Sequence, residues 1–197
     1  IRRPPRSTPS NSSAASDVYK RQIHHYSCWV FNVASIIIEP PLSEILIKLS
    51  SETGKNVETF IVDLLQEKLD PDTRIRVYIA LFKKFLKEAR KFEASGDTVQ
   101  ASEKYWGAIS SLLNIVGELK SLPHYKHSDY WRIMNVIIDE TNDREFVRLF
   151  AVAEKLHANF YHNFIPKHQF SLYSEEIQKL VEKIIKYLKA HGLKINH

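Results

Sequence analysis

The stretch Ala89-Arg-Lys-Phe-Glu-Ala-Ser-Gly-Asp-Thr-Val-Gln-Ala-Ser-Glu-Lys-Tyr-Trp-Gly-Ala-Ile109 decides the fold. It reads as a helix end, a turn and a helix start in consecutive residues. Gly96 supplies the left-handed conformation that closes a helix. Asp97 follows as an N-cap, and Gln100 stands three residues on, as in a capping box. Two long helices must fold back on each other here. Ile75, Ile79, Phe82, Leu86 and Ala89 mark the apolar face of the first, over about 72–95. Tyr105, Trp106, Ile109, Leu112, Leu113 and Val116 mark the second, over about 98–120. Trp106 is expected to pack between the long helices, with Phe160 from a later one.

Working outward, helical periodicity continues in both directions. Ser35 to Glu39 is a short strand-like run stopped by Pro40 and Pro41. Leu42, Ile45, Leu46 and Leu49 share one face of a helix over 42–52. Gly54 and Asn56 form a turn and a cap, and a second short helix follows over 57–69, before Asp70-Pro71. Downstream, Ser121 to His127 reads as a loop and Ser128 caps a helix to about Glu140. A long helix runs from Asn142 or Asp143 to about Phe164, and Ser174-Glu175-Glu176 opens a last one that Gly192 stops. The expected fold class is all-α, an up-and-down helical bundle over 70–197 preceded by a short strand-helix-helix module over 35–69.

Composition narrows the chemistry. Cys28 is the single cysteine of the 197 residues, so an intrachain disulfide and a thiolate zinc cluster are both excluded. No apolar run approaches the roughly 18–20 residues of a membrane span. A cytoplasmic protein without membrane partners, cofactor or metal is expected. The chain carries a formal charge of +5. Five of the 28 basic residues and one of the 23 acidic ones lie in the first 22 positions, which leaves 23 against 22 elsewhere. The basic balance is therefore confined to that segment and is not a nucleic-acid footprint. Residues 1–22 have no periodicity and are rich in Ser, Pro and Arg. Ile1-Arg-Arg-Pro-Pro-Arg-Ser-Thr8 and Ser12-Ser-Ala-Ala-Ser-Asp-Val-Tyr-Lys-Arg-Gln22 resemble translated sequencing-adapter DNA. Met134 is the only methionine, which agrees with that reading. The segment is expected to be disordered and outside the fold. Residues 23–34 are apolar and aromatic without a helical period, and stay unassigned.

Three runs carry a family resemblance: Leu86-Lys-Glu-Ala89, Gly96 to Ala108, and Leu156-His-Ala-Asn-Phe-Tyr161 with Phe164. On these, residues 70–191 resemble the first subfamily of the archaeal PaREP proteins, within the HEPN-like helical domains. The segment 35–69 resembles a ribbon-helix-helix module through Ile36 to Ile38, Gly54-Lys-Asn56 and Glu58-Thr-Phe-Ile61. The other reading of that segment is a helical hairpin lying on the main domain. The first resemblance implies a family of unknown biochemical function, read here as a binding or assembly module acting as a homodimer. Weak RNA or nucleotide binding is a further expectation. Two alternatives stand beside it, a ribonuclease or toxin component and a DNA-binding regulator.

Ribonucleases of the wider HEPN group carry Arg, then four to six residues, then His. In that chemistry His moves a proton and Arg holds the phosphate. His157 would need Arg at 150, 151 or 152, where Phe, Ala and Val stand. Lys155 precedes His162 at the required interval but lacks the bidentate fork of Arg. The candidate site residues are nonetheless His157, Glu154, Tyr161, Lys155 and His162. Glu154, His157 and Tyr161 share one helical stripe, which would let Glu154 orient His157. His157 also fits a core-edge histidine with a satisfied ring. His157 and His162 lie about 140° apart around the helix, so they do not form a metal pair. Lys155 and Asn159 point away from the stripe.

Overall fold

A computed structural model describes residues 36–195. The chain divides into two units, Ile1–Glu39 and Pro40–His197. Of the first, the described residues 36–39 form neither helix nor strand. The adapter-like segment, residues 23–34 and Ser35 lie outside the described residues. The second unit is all-α. Its helices are α1 (Leu42–Glu52), α2 (Val57–Leu64), α3 (Pro71–Ala94), α4 (Thr98–Lys120), α5 (His127–Thr141), α6 (Glu145–His162) and α7 (Phe170–Ala190). Single 3-10 turns at Gln66–Lys68 and Lys167–Gln169 complete it.

The α3–α4 hairpin forms as its residues dictate. Gly96 adopts φ +77°, and Asp97 accepts the Gln100 amide at 3.1 Å. Asn56 caps α2 through the Thr59 amide at 2.9 Å. Asp70 caps α3 by accepting both the amide and the hydroxyl of Thr73. α4 is the axis of the bundle. Nearly every side chain from Ala101 to Gly117 is buried, the pattern of a helix covered all round. Its neighbours are α3, α5, α6 and α7. Trp106, Ile109, Leu112 and Leu113 are covered there. Phe160 differs from expectation: it is half-buried and lines a cleft rather than the core.

The α1–α2 hairpin is fastened to the bundle by a buried polar network. Lys55 Nζ lies 2.5 Å from Asp63 Oδ2 and donates to the His124 carbonyl at 2.7 Å. The Tyr78 hydroxyl donates to the other Asp63 oxygen at 2.9 Å. Burial pushes Lys55 down and Asp63 up, and their mutual attraction offsets this in part. Arg74 grips Glu118 with two nitrogens at 2.6 and 2.8 Å and donates to the carbonyls of Gln66 and Leu69. That fork ties the link between α2 and α3 to the C-terminal end of α4. His124 Nε2 sits 3.1 Å from the same Glu118, off hydrogen-bond alignment.

Three helix starts depart from the sequence reading, α6 among them, which begins at Glu145 and not at Asn142 or Asp143. α5 begins at His127, with Asp129 accepting the amides of Tyr125 and Lys126. α7 begins at Phe170, four residues before the Ser174 signal. Ser174 is buried within that helix and donates to Glu93 at 2.6 Å, so its hydroxyl serves a tertiary contact and not a cap.

Candidate functional site

Three rings gather where α4, α5 and α6 meet beneath the α1–α2 turn. Trp106 comes from α4, His127 from the first position of α5 and His157 from α6. Their planes lie within 28° of parallel, and their centroids are 4.6, 5.1 and 5.2 Å apart. Parallel rings in a column would set the outer two much farther apart. The near-equal separations therefore place the two imidazoles side by side on one face of the indole. The indole nitrogen donates to the Gly54 carbonyl at 3.2 Å, which pins the turn over the rings.

Gly54 is required there on two grounds. Its φ is +68°, and a Cβ would stand 3.2 Å from His127 Nδ1 and 3.6 Å from His157 Nε2. One nitrogen of each imidazole thus faces the same point of the turn. His127 Nε2 contacts both oxygens of Glu154, at 2.8 and 3.0 Å. A carboxylate partner orients the ring through Nε2 and turns Nδ1 towards Gly54. His157 Nδ1 is buried without a hydrogen-bond partner among the described residues. Burial first, and then neighbouring His127, lower the His157 pKa to about 4, against the opposing pull of Glu154. His157 is therefore neutral at physiological pH.

The sequence candidates separate into two groups. Glu154, His157 and Tyr161 are brought together, although Glu154 orients His127 and not His157. Tyr161 is half exposed and meets His157 edge-on at 5.3 Å. Burial and the charge of Glu103 raise its pKa. Lys155 leaves the group: its ammonium lies 4.8 Å over the Tyr173 ring of α7 and donates to that hydroxyl at 2.7 Å. His162 is exposed as the last residue of α6. Asn159 is fully buried, bonded to Ser102 at 2.9 Å and to the Ile165 amide at 2.7 Å, so it braces the end of α6.

His127 is the member that sequence reading missed. In sequence it closes the loop 121–127, and its partner is 27 residues away. The available signal was positional: a histidine beside a helix start, in a loop, where functional side chains concentrate.

Two clefts flank the imidazoles. One, of about 140 Å³, lies between Ile47, Val57 and Tyr161. The other, of about 580 Å³, is lined by Glu52, Thr53, Lys126 and Ser128. Among the described residues no set of three or more His, Cys, Asp or Glu side chains could hold a metal ion. No described helix is long and apolar enough to cross a membrane.

No curated protein and no solved structure matches this chain. A family model does match, that of the archaeal PaREP1/PaREP8 family, over residues 77–181. The match runs from α3 into α7 and includes Trp106, His127, Glu154 and His157. The α1–α2 hairpin, with Gly54 and Lys55, lies before it. Since the matched segment covers just over half of the 197 residues, the chain belongs to the archaeal PaREP1/PaREP8 family.

Proposed function

We propose that this chain is a HEPN-like helical module that binds and assembles, as a homodimer, and does not cleave RNA. The observation that carries the reading is the charge around the imidazoles. Among the lining residues of the two clefts, Glu52 and Glu103 bring carboxylates, Glu103 being paired with Lys104, and Lys126 is the cation without an ion-pair partner, while Glu154 beside them is bonded to His127. Lys55 also borders one cleft, but it is held by Asp63. A phosphodiester needs cations to hold it, and an acidic rim repels it. His157, with a pKa of about 4, is a weak base and holds no proton to donate near pH 7.

A second reading has one observation in its favour. The Glu154–His127 contact resembles the carboxylate-oriented base of hydrolytic sites, with the imidazole lining a cleft. It supports a ribonuclease in which His127, not His157, is the base. The DNA-regulator reading has less support, because Ile36 and Ile37 offer apolar side chains where base reading needs polar ones. The experiment that separates these readings is RNA cleavage and RNA binding by the purified protein, with His127→Ala and His157→Ala as controls. The proposal expects no turnover and only weak, salt-sensitive binding.

A further inference from the structure

The two clefts beside the imidazoles share one wall. Ser51 and Gly54 border both, with Ile47 added in one and Glu52 and Thr53 in the other. All of these belong to α1 and the turn after it. Facing them, His157 and Tyr161 also border both clefts. Residues 40–54 therefore roof the rings, and what holds the roof decides how a ligand reaches them.

That hold changes abruptly at Lys55. Upstream, Ser50 is the one buried residue of α1. The turn closes on its own helix, with the amides of Thr53, Gly54 and Lys55 bonded to carbonyls from Leu49 to Ser51. The hydroxyls of Ser50, Ser51 and Thr53 likewise donate to carbonyls of α1. Among the described residues, one hydrogen bond ties residues 40–54 to the bundle, from the Trp106 indole nitrogen to the Gly54 carbonyl at 3.2 Å. Downstream the anchoring is dense. The Lys55 ammonium is held by Asp63 and by the His124 carbonyl. Asn56 packs on α4, where a Cβ on Gly107 would stand 3.2 Å from its amide nitrogen. Thr59, Phe60 and Val62 are buried in α2.

We propose that α1 and its turn form a lid over the imidazole pair, pivoting at Lys55, which lifts to admit a small ligand to the ring nitrogens. Lifting breaks one hydrogen bond and uncovers little buried surface, so it is a local opening that leaves α2 in place. Lys55 suits the pivot, because its ammonium stays clamped while its flexible four-carbon stem lets the backbone turn. When closed, the lid sets Gly54 against His127 Nδ1 and His157 Nε2 and shuts both nitrogens off from that side. The lid does not depend on whether the site binds or cleaves.

Hydrogen exchange and histidine labelling of the full chain test the lid. Amides from Leu46 to Gly54 should share one protection and exchange at least about tenfold faster than those of Phe60 to Leu64. Equal protection in α1 and α2 would overturn the proposal. So would a gradient falling steadily from Leu42, which is end fraying. Gly54→Ala gives opposite signs for the two cases. With the turn in place, the added methyl would cover the ring nitrogens and slow their modification. With a lid that lifts, crowding against His127 favours the open form. Diethyl pyrocarbonate at pH 7, where His157 is neutral, reads this by peptide mass spectrometry against exposed His162. Labelling of His157 in Gly54→Ala should rise at least about twofold over the parent. Unchanged or slower labelling would show a fixed roof and overturn the proposal.

Discussion

Glu154 and His127 are joined at 2.8 Å across the gap between α6 and α5, while His157, one turn from Glu154 on its own helix, has no hydrogen bond to it. The carboxylate therefore serves the imidazole that is distant in sequence. The near one is left neutral against the indole. That division separates a carboxylate-bound histidine from one packed on the indole.

The pH dependence of stability follows from His157. Its pKa is about 4 in the folded chain and near 6.5 when unfolded. Between those values the unfolded chain binds more protons, so stability is present above about pH 6.5 and is lost as pH falls towards 4. The loss should be about 1–3 kcal/mol, after allowance for partial exposure of the ring. Buried His124, also lowered by burial, acts in the same sense. Urea unfolding at pH 7 and pH 4.5 should give a smaller difference in His157→Gln than in the parent. An equal difference would remove His157 as a cause.

Gly54→Ala should destabilise by about 1–2 kcal/mol, combining a strained left-handed backbone with crowding of His127. Thermal or urea denaturation reads this directly. Gly96→Ala is the control, since its φ is also positive but no atom lies within 4 Å of the added methyl. A Gly54→Ala cost no greater than that of Gly96→Ala would argue against the close approach at the rings.

Trp106→Ala should cost about 3–5 kcal/mol, as for large aromatic deletions in a core. Phe160→Ala should cost only about 1 kcal/mol, because that ring is half-buried. Chemical denaturation of both variants distinguishes the core residue from the cleft-lining one. Equal costs would mean that Phe160 is packed more deeply than described.

Lys55→Met should cost about 3–5 kcal/mol by leaving Asp63 buried without its cation. The double variant Lys55→Met with Asp63→Leu should recover much of that, since an apolar pair can replace a buried ion pair. A double-mutant cycle by urea denaturation gives the coupling. Additive costs would show that the contact does not fasten the α1–α2 hairpin.

How much of this was legible in the sequence depended on distance along the chain. The α3–α4 hairpin was plain because Gly96, Asp97 and Gln100 act within four residues. Asn56 was equally plain as a cap. The start of α7 was misplaced because Ser174 looks like a local cap, while its hydroxyl is spent on Glu93, 81 residues away. The same limit hid His127. The stripe of Glu154, His157 and Tyr161 was visible from helical spacing, but spacing cannot say which imidazole the carboxylate reaches. Trp106 was expected in the core from its place on the α4 face. Its role as the floor beneath two imidazoles depends on three helices meeting.

RNA cleavage tests the central claim most directly. Single-stranded RNA should be incubated with excess and with catalytic amounts of protein, at pH 7, beside His127→Ala and His157→Ala. The account predicts no cleavage above the buffer control for any of the three, and RNA binding that is weak and lost with added salt. Multiple-turnover cleavage by the parent, abolished in His127→Ala with its helical circular dichroism intact, would contradict it and establish the Glu154–His127 pair as an active site.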